Sequence, residues 1–167
     1  MRIPMSVASM YLSYVTYSYP PSPKTLYGIG WPTLAGGWAI RWPRDLGPGK
    51  GKYFVGPAGI TYAPAMTSGK AGTCAVFEGI FDFLSFIVII GSLNVDAVVL
   101  NSVGNVMSAV EFLRKYEEVW CYLDNDEGGH RATNTVMNCL GPKAKDCSYV
   151  FQPYNDLNEY LKSFKIN

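Results

Sequence analysis

A run of apolar, strand-forming residues, 119–123, leads directly into an acidic turn and two glycines. Such a run is typical of a strand that is buried on both faces of a parallel sheet. Asp124, Asp126 and Glu127 follow within four residues, and residues 131–140 have a helical pattern. In open α/β sheets, ligands bind at the carboxyl ends of the strands. This stretch therefore predicts a functional site at the end of the strand.

Carboxylates clustered at a partly buried strand end repel one another by several kcal/mol unless a cation lies among them. Hard divalent ions prefer oxygen ligands, so Mg²⁺ (or Mn²⁺) is the simplest cation to expect. The alternative is a solvated acidic loop in which Asn-Asp and Gly-Gly are turn residues. A second acidic strand end upstream favours the metal site. There, the apolar residues 73–77 run into Glu78 and Gly79, and a helical pattern then begins.

Four motifs occur in a fixed order along the chain. They are Glu78-Gly79 with Asp82, residues 97–104, Asp124-Asn125-Asp126 with Gly128 and Ala132, and residues 155–161. Together they resemble the Toprim domain, which is shared by bacterial-type primases, topoisomerases and some nucleases. The last motif resembles the Lys-Asp-x-Asn-Asp-x-Leu ending of primase-like members. The resemblance covers roughly residues 70–165.

The resemblance implies roles for individual side chains. Glu78 would be the general acid or base at the phosphodiester, and Asp124 and Asp126 would bind Mg²⁺ (or Mn²⁺). Alternate residues of an extended turn place both aspartates on one side, with Asn125 pointing away. Asp82 comes one helical turn after Glu78 and is expected either to be an additional metal ligand or to contact the ligands. The alternative is that Asp82 only stabilises the dipole of the helix. Glu78 reaches the aspartates only if the first and third strands are neighbours.

The pattern from residue 70 onward alternates regularly between strands and helices. The predicted strands are 72–77, 96–101, 118–123 and 147–152, and the predicted helices are 80–90, 105–115, 130–140 and 156–164. This alternation indicates an α/β fold, a parallel four-stranded sheet flanked by helices. The resemblance implies that residues 70–167 form a Toprim-like (Rossmann-like) catalytic domain. Asn155-Asp156 supplies a cap for the last helix, which is the structural alternative for Asp156.

The pattern of residues 1–65 predicts a small, β-rich α+β N-terminal subdomain. Residues 63–73 are rich in proline, serine and glycine, which predicts a linker. A short helix is expected at 6–14 with Ser6 as its N-cap. Short aromatic and β-branched runs separated by glycine and proline indicate an antiparallel sheet. Its predicted strands are 14–19, 25–31, 37–42 and 52–55.

Charge divides unevenly between the two parts. Residues 1–60 carry a net charge of +5, and residues 61–167 carry −4. Basic residues interleaved with Trp31, Trp38 and Trp42 suit single-stranded DNA through backbone contacts and base stacking; chance and an aromatic core are the alternatives. The predicted nucleic-acid-binding residues are Arg41, Arg44, Lys50, Lys52 and Arg131. We expect Trp38 and Ile40 in the core, and Arg41, Arg44 and Lys52 exposed.

Three further side chains lie in or next to the acidic turn, and the sequence suggests a role for each. Arg131 is expected either to contact a phosphate or to pair with Glu127, and Glu127 is expected to be solvated. His130, the only histidine, is expected on the surface at the start of a helix.

The function expected from the resemblance is primase-type nucleotidyl transfer, which makes an RNA primer on single-stranded DNA in replication or mobilisation. A Toprim nuclease and a non-catalytic nucleic-acid-binding module are the alternatives. No zinc-binding module or helicase-binding tail is recognised, so the chain is expected to be a fragment, a subunit or a member with another role. Nucleotides are expected as partners, with a helicase or relaxase as protein partner. No membrane segment is evident, and cysteines without metal spacing fit the cytoplasm.

Overall fold

The computed structural model describes residues 2–18, 25–42, 51–66 and 72–164. A short helix and an antiparallel four-stranded sheet come first. They are α1 (Met5–Ala8), β1 (Ser13–Ser18), β2 (Thr25–Pro32), β3 (Trp38–Arg41) and β4 (Lys52–Val55). The strands are arranged in the order β1-β2-β3-β4, so each pairs with its neighbour in the chain.

A second sheet contains five strands in the order β5-β7-β6-β8-β9. Its strands are β5 (Thr61–Ala63), β6 (Thr73–Phe77), β7 (Asp96–Val99), β8 (Glu118–Tyr122) and β9 (Ala144–Asp146). The four strands β6–β9 are parallel, and β5 joins β7 in the antiparallel direction. The helices are α2 (Ile80–Ile90), α3 (Val106–Leu113), α4 (Glu127–Leu140) and α5 (Leu157–Ser163). The predicted α/β fold with a parallel sheet is confirmed.

The central strand β6 is buried along its whole length. Its alternate side chains divide between two apolar clusters, as the two-residue period of a strand requires. Ala75 and Phe77 join the cluster that contains α2, whereas Cys74 and Val76 join the cluster that contains α3 and α4. Trp31 of β2 belongs to the first of these clusters. The antiparallel sheet therefore shares a core with one face of the parallel sheet.

Three predicted elements differ clearly from the structure. The fourth parallel strand is β9 and not 147–152, because the Asp146 carboxylate accepts from the Ser148 N–H and residues 148–151 form a 3₁₀ turn. Helix α4 begins three residues before the predicted start, where Asp126 caps it. Helix α1 ends at Ala8, not at residue 14, because residues from Ser13 onward pair with β2; Pro4, not Ser6, is its N-cap.

The strand β5 is absent from the sequence-based expectation. It lies where the N-terminal part was expected to give way to a linker, yet it extends the second sheet beside β7. Residues 67–71 of that predicted linker lie outside the described residues. None of the helices within the described ranges has the length and apolarity that crossing a membrane requires.

Candidate active site

The carboxyl ends of β6 and β8 lie side by side. Phe77 is the register partner of Tyr122 in the parallel ladder that joins these strands. Glu78 follows Phe77 directly, and Asp124 follows Tyr122 by two residues. The first and third strands of the parallel series are therefore neighbours, which is the arrangement that the expected role of Glu78 requires.

Glu78 is half-buried, and its Oε2 atom is buried without a hydrogen-bond partner among the described residues. Burial raises the pKa of Glu78, and the negative charges of Asp126 and Asp156 raise it further. The positive charge of Lys52 acts in the opposite direction. A carboxyl group whose pKa moves toward neutrality is suited to proton transfer.

Asp124 also has a buried oxygen, Oδ1, for which the described residues provide no hydrogen-bond partner. Its pKa rises from the usual 3.8 to about 8, first because of burial and then because of the charges of Asp82 and Glu78. Asn125, the next residue, has its side chain directed elsewhere. Its Nδ2 donates to the carbonyls of Tyr154 at 2.9 Å and Ser148 at 3.3 Å. The acidic turn is thus tied to the C-terminal segment through Asn125.

Asp126 is the N-cap of α4 and is exposed. Its Oδ1 accepts a hydrogen bond from the backbone N–H of Gly129 at 2.8 Å. This contact satisfies one of the free N–H groups at the start of the helix and orients the carboxylate. The negative charge of Asp126 is among those that raise the pKa of Glu78.

Asp82 and Asp156 belong to the same group; Asp82 is buried and Asp156 is half-buried. Asp82 is only 8% exposed, and its Oδ1 accepts from the backbone N–H of Asn158 at 3.3 Å. Its pKa rises from 3.8 to about 7, first through burial and then through the charge of Asp156. Asp156 caps α5 by accepting from the Glu159 N–H at 2.6 Å. We call Glu78, Asp82, Asp124, Asp126 and Asp156 the carboxylate cluster.

The donor atoms of the carboxylate cluster fit a hard divalent cation. Mg²⁺ takes oxygen ligands and commonly keeps several waters beside one or two carboxylates. Glu78 and Asp124 each have a buried oxygen that lacks a partner within the described ranges. Across those same ranges, three acidic, histidine or cysteine side chains nowhere come close enough together to bind one ion. The two unpartnered oxygens are the donor atoms that a hydrated ion would use here.

Two glycines permit the close packing around the carboxylate cluster. A Cβ at Gly129 would lie 2.1 Å from the carbonyl oxygen of Asp124, so only glycine lets α4 start this close to the turn. A Cβ at Gly79 would lie 2.9 Å from Oδ2 of Asp82. Gly128 and Gly129 therefore belong to the start of α4 and do not form a free turn. Only the tertiary contact of Gly129 with Asp124 identifies this role.

The basic residues predicted to bind nucleic acid have different surroundings. Arg44 and Lys50 lie outside the described residues. Lys52 is exposed, as expected, whereas Arg41 is half-buried, which corrects the prediction of an exposed side chain. The guanidinium of Arg41 lies 5.2 Å from the centre of the Trp31 ring and donates to the carbonyl of Asn101 at 3.3 Å. These contacts explain its burial.

The other surface expectations have mixed outcomes. Ile40 is buried as predicted, but Trp38 is only partly buried, which corrects the prediction for Trp38. The fully buried tryptophan is Trp31, which packs in the core shared by the two sheets. Arg131 pairs with Glu127 one helical turn away, and both side chains are largely exposed. His130 is exposed near the start of α4.

Two residues of the site region, Asn101 and Asn158, lie within the recognised motifs but were given no role from the sequence. Asn101 bonds to Trp31, and Asn158 bonds to Asp82, across separations of 70 and 76 residues respectively. Asp156 had a weak signal, since it occurs in the last of the four motifs. Its proximity to Glu78 could be found only from the fold.

The Toprim-like family Toprim_2 matches residues 75–161, more than half of the chain. The chain belongs to the Toprim-like family. The match begins within β6 and ends within α5, so it covers the whole carboxylate cluster of this Toprim-like chain. No curated protein that was compared with the chain matches it.

Solved structures of two primases have a similar fold. The chain resembles the primase fragment of the bacteriophage T7 primase-helicase protein, with a TM-score of 0.62, 17% identity, and coverage of 94% of this chain and 65% of that one. It also resembles the zinc-binding and RNA polymerase domains of the Aquifex aeolicus primase, with a TM-score of 0.65, 19% identity, and coverage of 97% and 50%. At these identities the likeness shows the fold.

A third similar chain belongs to a larger assembly. In it, the bacteriophage T7 lagging-strand DNA polymerase interacts with primase domains of two gp4 subunits bound to an RNA/DNA hybrid and dTTP. The TM-score is 0.58 at 15% identity, with coverage of 94% of this chain and 79% of that one. The Toprim-like chain spans about two thirds of the T7 primase fragment and half of the Aquifex chain.

Proposed function

We propose that this Toprim-like protein is a Mg²⁺-dependent nucleotidyltransferase that makes short RNA primers on single-stranded DNA in the cytoplasm. The observation that carries the proposal is the pair of buried, unpartnered oxygens, Glu78 Oε2 and Asp124 Oδ1, at adjacent strand ends. Buried carboxylate oxygens are normally hydrogen-bonded or bound to a metal. The structural similarity to primases favours primer synthesis over other phosphodiester chemistry.

In this proposal, Asp124 and Asp126 would hold Mg²⁺ (or Mn²⁺). Asp82 would be an additional ligand or would lie next to these ligands and position them. When bound, the ion neutralises and aligns the oxygens of the reacting phosphate. Glu78 accepts the proton of the attacking 3′-hydroxyl at Oε2. The hydroxyl oxygen then forms a bond to the α-phosphorus of the nucleotide, and pyrophosphate leaves. The raised pKa of Glu78 makes its carboxylate a stronger base than an exposed glutamate.

The bound strand would run along the end of the antiparallel sheet. Arg41 and Lys52 are register partners on β3 and β4, and the charge of Lys52 acts on Glu78. Two cations beside a metal-binding carboxylate cluster suit a phosphate backbone that must approach it. Arg44, Lys50 and Arg131 are proposed as further backbone contacts. The T7 relative is a primase-helicase protein, so we propose a helicase, or a relaxase of a mobile element, as protein partner.

The test separates the three activities available to the family. The protein is incubated with Mg²⁺, a single-stranded DNA template and labelled ribonucleotides, and in parallel with labelled DNA alone. Extended RNA products that depend on template and Mg²⁺ support primer synthesis. Shortening of the labelled DNA would identify a nuclease instead. Binding to the template without either product would identify a binding module.

The salt dependence of binding checks the backbone contacts. Affinity for a single-stranded oligonucleotide should fall steeply as salt rises, because phosphate contacts release counterions. Replacing Arg41, Arg44 and Lys52 by alanine together should reduce the slope of log affinity against log salt by about two, at roughly 0.7 per contact. An unchanged slope would exclude these residues from the interface.

A further inference from the structure

Asn101, two residues after β7, has an unusual backbone conformation. Its φ is +63°, and it is the one non-glycine residue with positive φ among the described residues. Asparagine adopts this left-handed conformation more readily than most residues, but it is still rare. Such conformations persist where surrounding contacts determine them, and they cluster at functional sites. Asn101 is only 2% exposed, so its surroundings are entirely protein.

The side-chain amide of Asn101 joins the two sheets. Its Oδ1 accepts from the indole N–H of Trp31 in β2 at 2.8 Å. Its Nδ2 donates to the Gly59 carbonyl at 2.9 Å and to Oγ1 of Thr61 in β5 at 3.1 Å. Because the acceptor faces a donor-only indole and the donor faces a carbonyl, only one amide orientation fits. The side chain is thus fixed by three bonds.

The main-chain carbonyl of Asn101 holds Arg41. It accepts from Nη2 of Arg41 at 3.3 Å, while Nη1 of Arg41 donates to its neighbour, the Ile40 carbonyl, at 3.0 Å. Trp31 contacts both residues, since its ring N–H binds Asn101 and its ring face lies 5.2 Å from the guanidinium. Within the described part of the chain, no carboxylate forms an ion pair with Arg41. This half-buried cation therefore lacks an anionic partner there.

Asn101 lies at the same edge of the parallel sheet as Glu78. The N–H of Leu100 donates to the carbonyl of Phe77 at 2.9 Å, so the chain is still aligned with β6 at this point. Asn101 and Glu78 are the next residues of the two adjacent segments. The carbonyl of Asn101 therefore places the guanidinium at the edge of the sheet where Glu78 lies.

We propose that Asn101 is a positioning residue, whose locked side chain fixes its own carbonyl so that Arg41 is held at the edge of the sheet that carries Glu78, where it binds a phosphate of the substrate. The guanidinium has five N–H donors, and the two carbonyls occupy two of them. The remaining donors match phosphate oxygens. That the ligand is a phosphate rests on the proposed function, whereas the fixed position of Arg41 does not.

The first experiment needs no ligand. Hydrogen exchange of the Arg41 side chain with water is measured by NMR in the metal-free protein. Asn101→Gly tolerates positive φ but removes all three side-chain bonds, and exchange should become about tenfold faster or more. Asn105→Ala is the matched control, because it removes a 2.8 Å bond from Nδ2 of Asn105 to the Leu100 carbonyl in the same segment. Unchanged Arg41 exchange in Asn101→Gly would overturn the proposal.

A second variant covers the case in which Asn101→Gly does not fold. Trp31→Phe keeps an aromatic face for Arg41 but removes the N–H that Oδ1 of Asn101 accepts from. The Arg41 hydrogens should again exchange several-fold faster, by about the effect of one lost hydrogen bond. Exchange as slow as in the unmodified protein would show that the side chain of Asn101 does not control Arg41.

The second experiment measures binding of a fluorescent oligodeoxythymidine in a double-mutant cycle. Arg41→Ala should weaken binding about ten- to hundredfold, and Asn101→Gly about three- to tenfold. Since Asn101 acts through Arg41, the double variant should bind like Arg41→Ala alone. Independent, multiplicative losses would overturn the positioning role. If the unmodified protein binds no oligonucleotide, the proposed function fails, while the exchange experiment still decides whether Asn101 positions Arg41.

Discussion

The backbone N–H of Asn158 donates to Oδ1 of Asp82 at 3.3 Å, although 76 residues separate them in the chain. The side chain of Asn158 adds a bond from Nδ2 to Oγ of Ser85 at 3.0 Å. Ser85 is itself buried and donates its hydroxyl proton to the Phe81 carbonyl at 2.7 Å. Ser85 can therefore only accept from Asn158, so the amide of Asn158 must be the donor.

This one-way hydrogen bond predicts that aspartate cannot replace Asn158. Asn158→Asp has nearly the same shape but removes the donor and adds a negative charge near Asp82. The free energy of unfolding should fall by about 1–3 kcal/mol in urea denaturation. The same change at Asn134, exposed on α4, is the control and should cost less than about 0.5 kcal/mol. Equal losses for the two variants would contradict the predicted role of the bond.

The raised pKa of Asp124 predicts that the stability of the metal-free protein falls as pH rises. Its pKa is about 8 in the folded protein, against an ordinary value of 3.8. Between these values the folded state binds more protons than the unfolded state, so the free energy of unfolding falls as pH rises from about 4 to 8. Mg²⁺ should restore stability at the upper end, because it binds the deprotonated carboxylate.

Thermal melting in the presence of a chelator, at several pH values, measures this dependence. Asn at position 124 cannot titrate, so Asp124→Asn should flatten the fall of melting temperature toward pH 8. Glu117→Gln, at an exposed position, should keep the slope of the unmodified protein. A melting temperature that rises steadily from pH 5 to 8 without metal would show that the carboxylate cluster does not bind protons as its burial requires.

Glu78→Gln distinguishes a catalytic role from a structural one. It retains the shape of the side chain but removes the base, so primer synthesis should fall about 10²–10⁴-fold. Mg²⁺ affinity by calorimetry should change little, whereas Asp124→Asn should lose metal binding and activity together. Because Glu78 lies among like charges, the metal-free variant should melt at an equal or higher temperature. A melting temperature clearly below that of the unmodified protein would indicate that Glu78 stabilises the fold.

We expect Gly129→Ala to lower the stability of the fold, because the new side chain would crowd the backbone. The new Cβ would lie 2.1 Å from the Asp124 carbonyl oxygen, so either α4 or the acidic turn must move. We expect about 2 kcal/mol or more of destabilisation and weaker Mg²⁺ binding. Gly128→Ala is the matched control, because its Cβ would meet side chains and no backbone atom: Oδ1 of Asp126 at 3.2 Å and Cγ1 of Val103 at 3.9 Å. If both variants melt alike, the close approach at Gly129 is not required.

Local patterns predicted most of the parallel sheet. The apolar run that became β6 is buried on both faces, as predicted. The run that became β8 is buried on one face and only half-buried on the other, which corrects the prediction for that strand. A short continuous apolar run is enough to identify such strands. Helix α2 was predicted at its observed bounds, because its apolar residues start immediately after Gly79. The acidic residues after each strand were recognisable for the same reason, since they interrupt apolar runs at one end.

Contacts between distant segments decided the remaining features. The three-residue strand β5 has almost no local signal, and it exists because it can pair with β7. Asn101, which has a positive φ, and the half-buried Arg41 both contact Trp31, which is 70 residues from Asn101 in the chain. Likewise, the raised pKa of Asp124 arises from burial and from carboxylates on other elements. Sequence periodicity reports which side of an element is apolar, but only packing determines which polar groups meet.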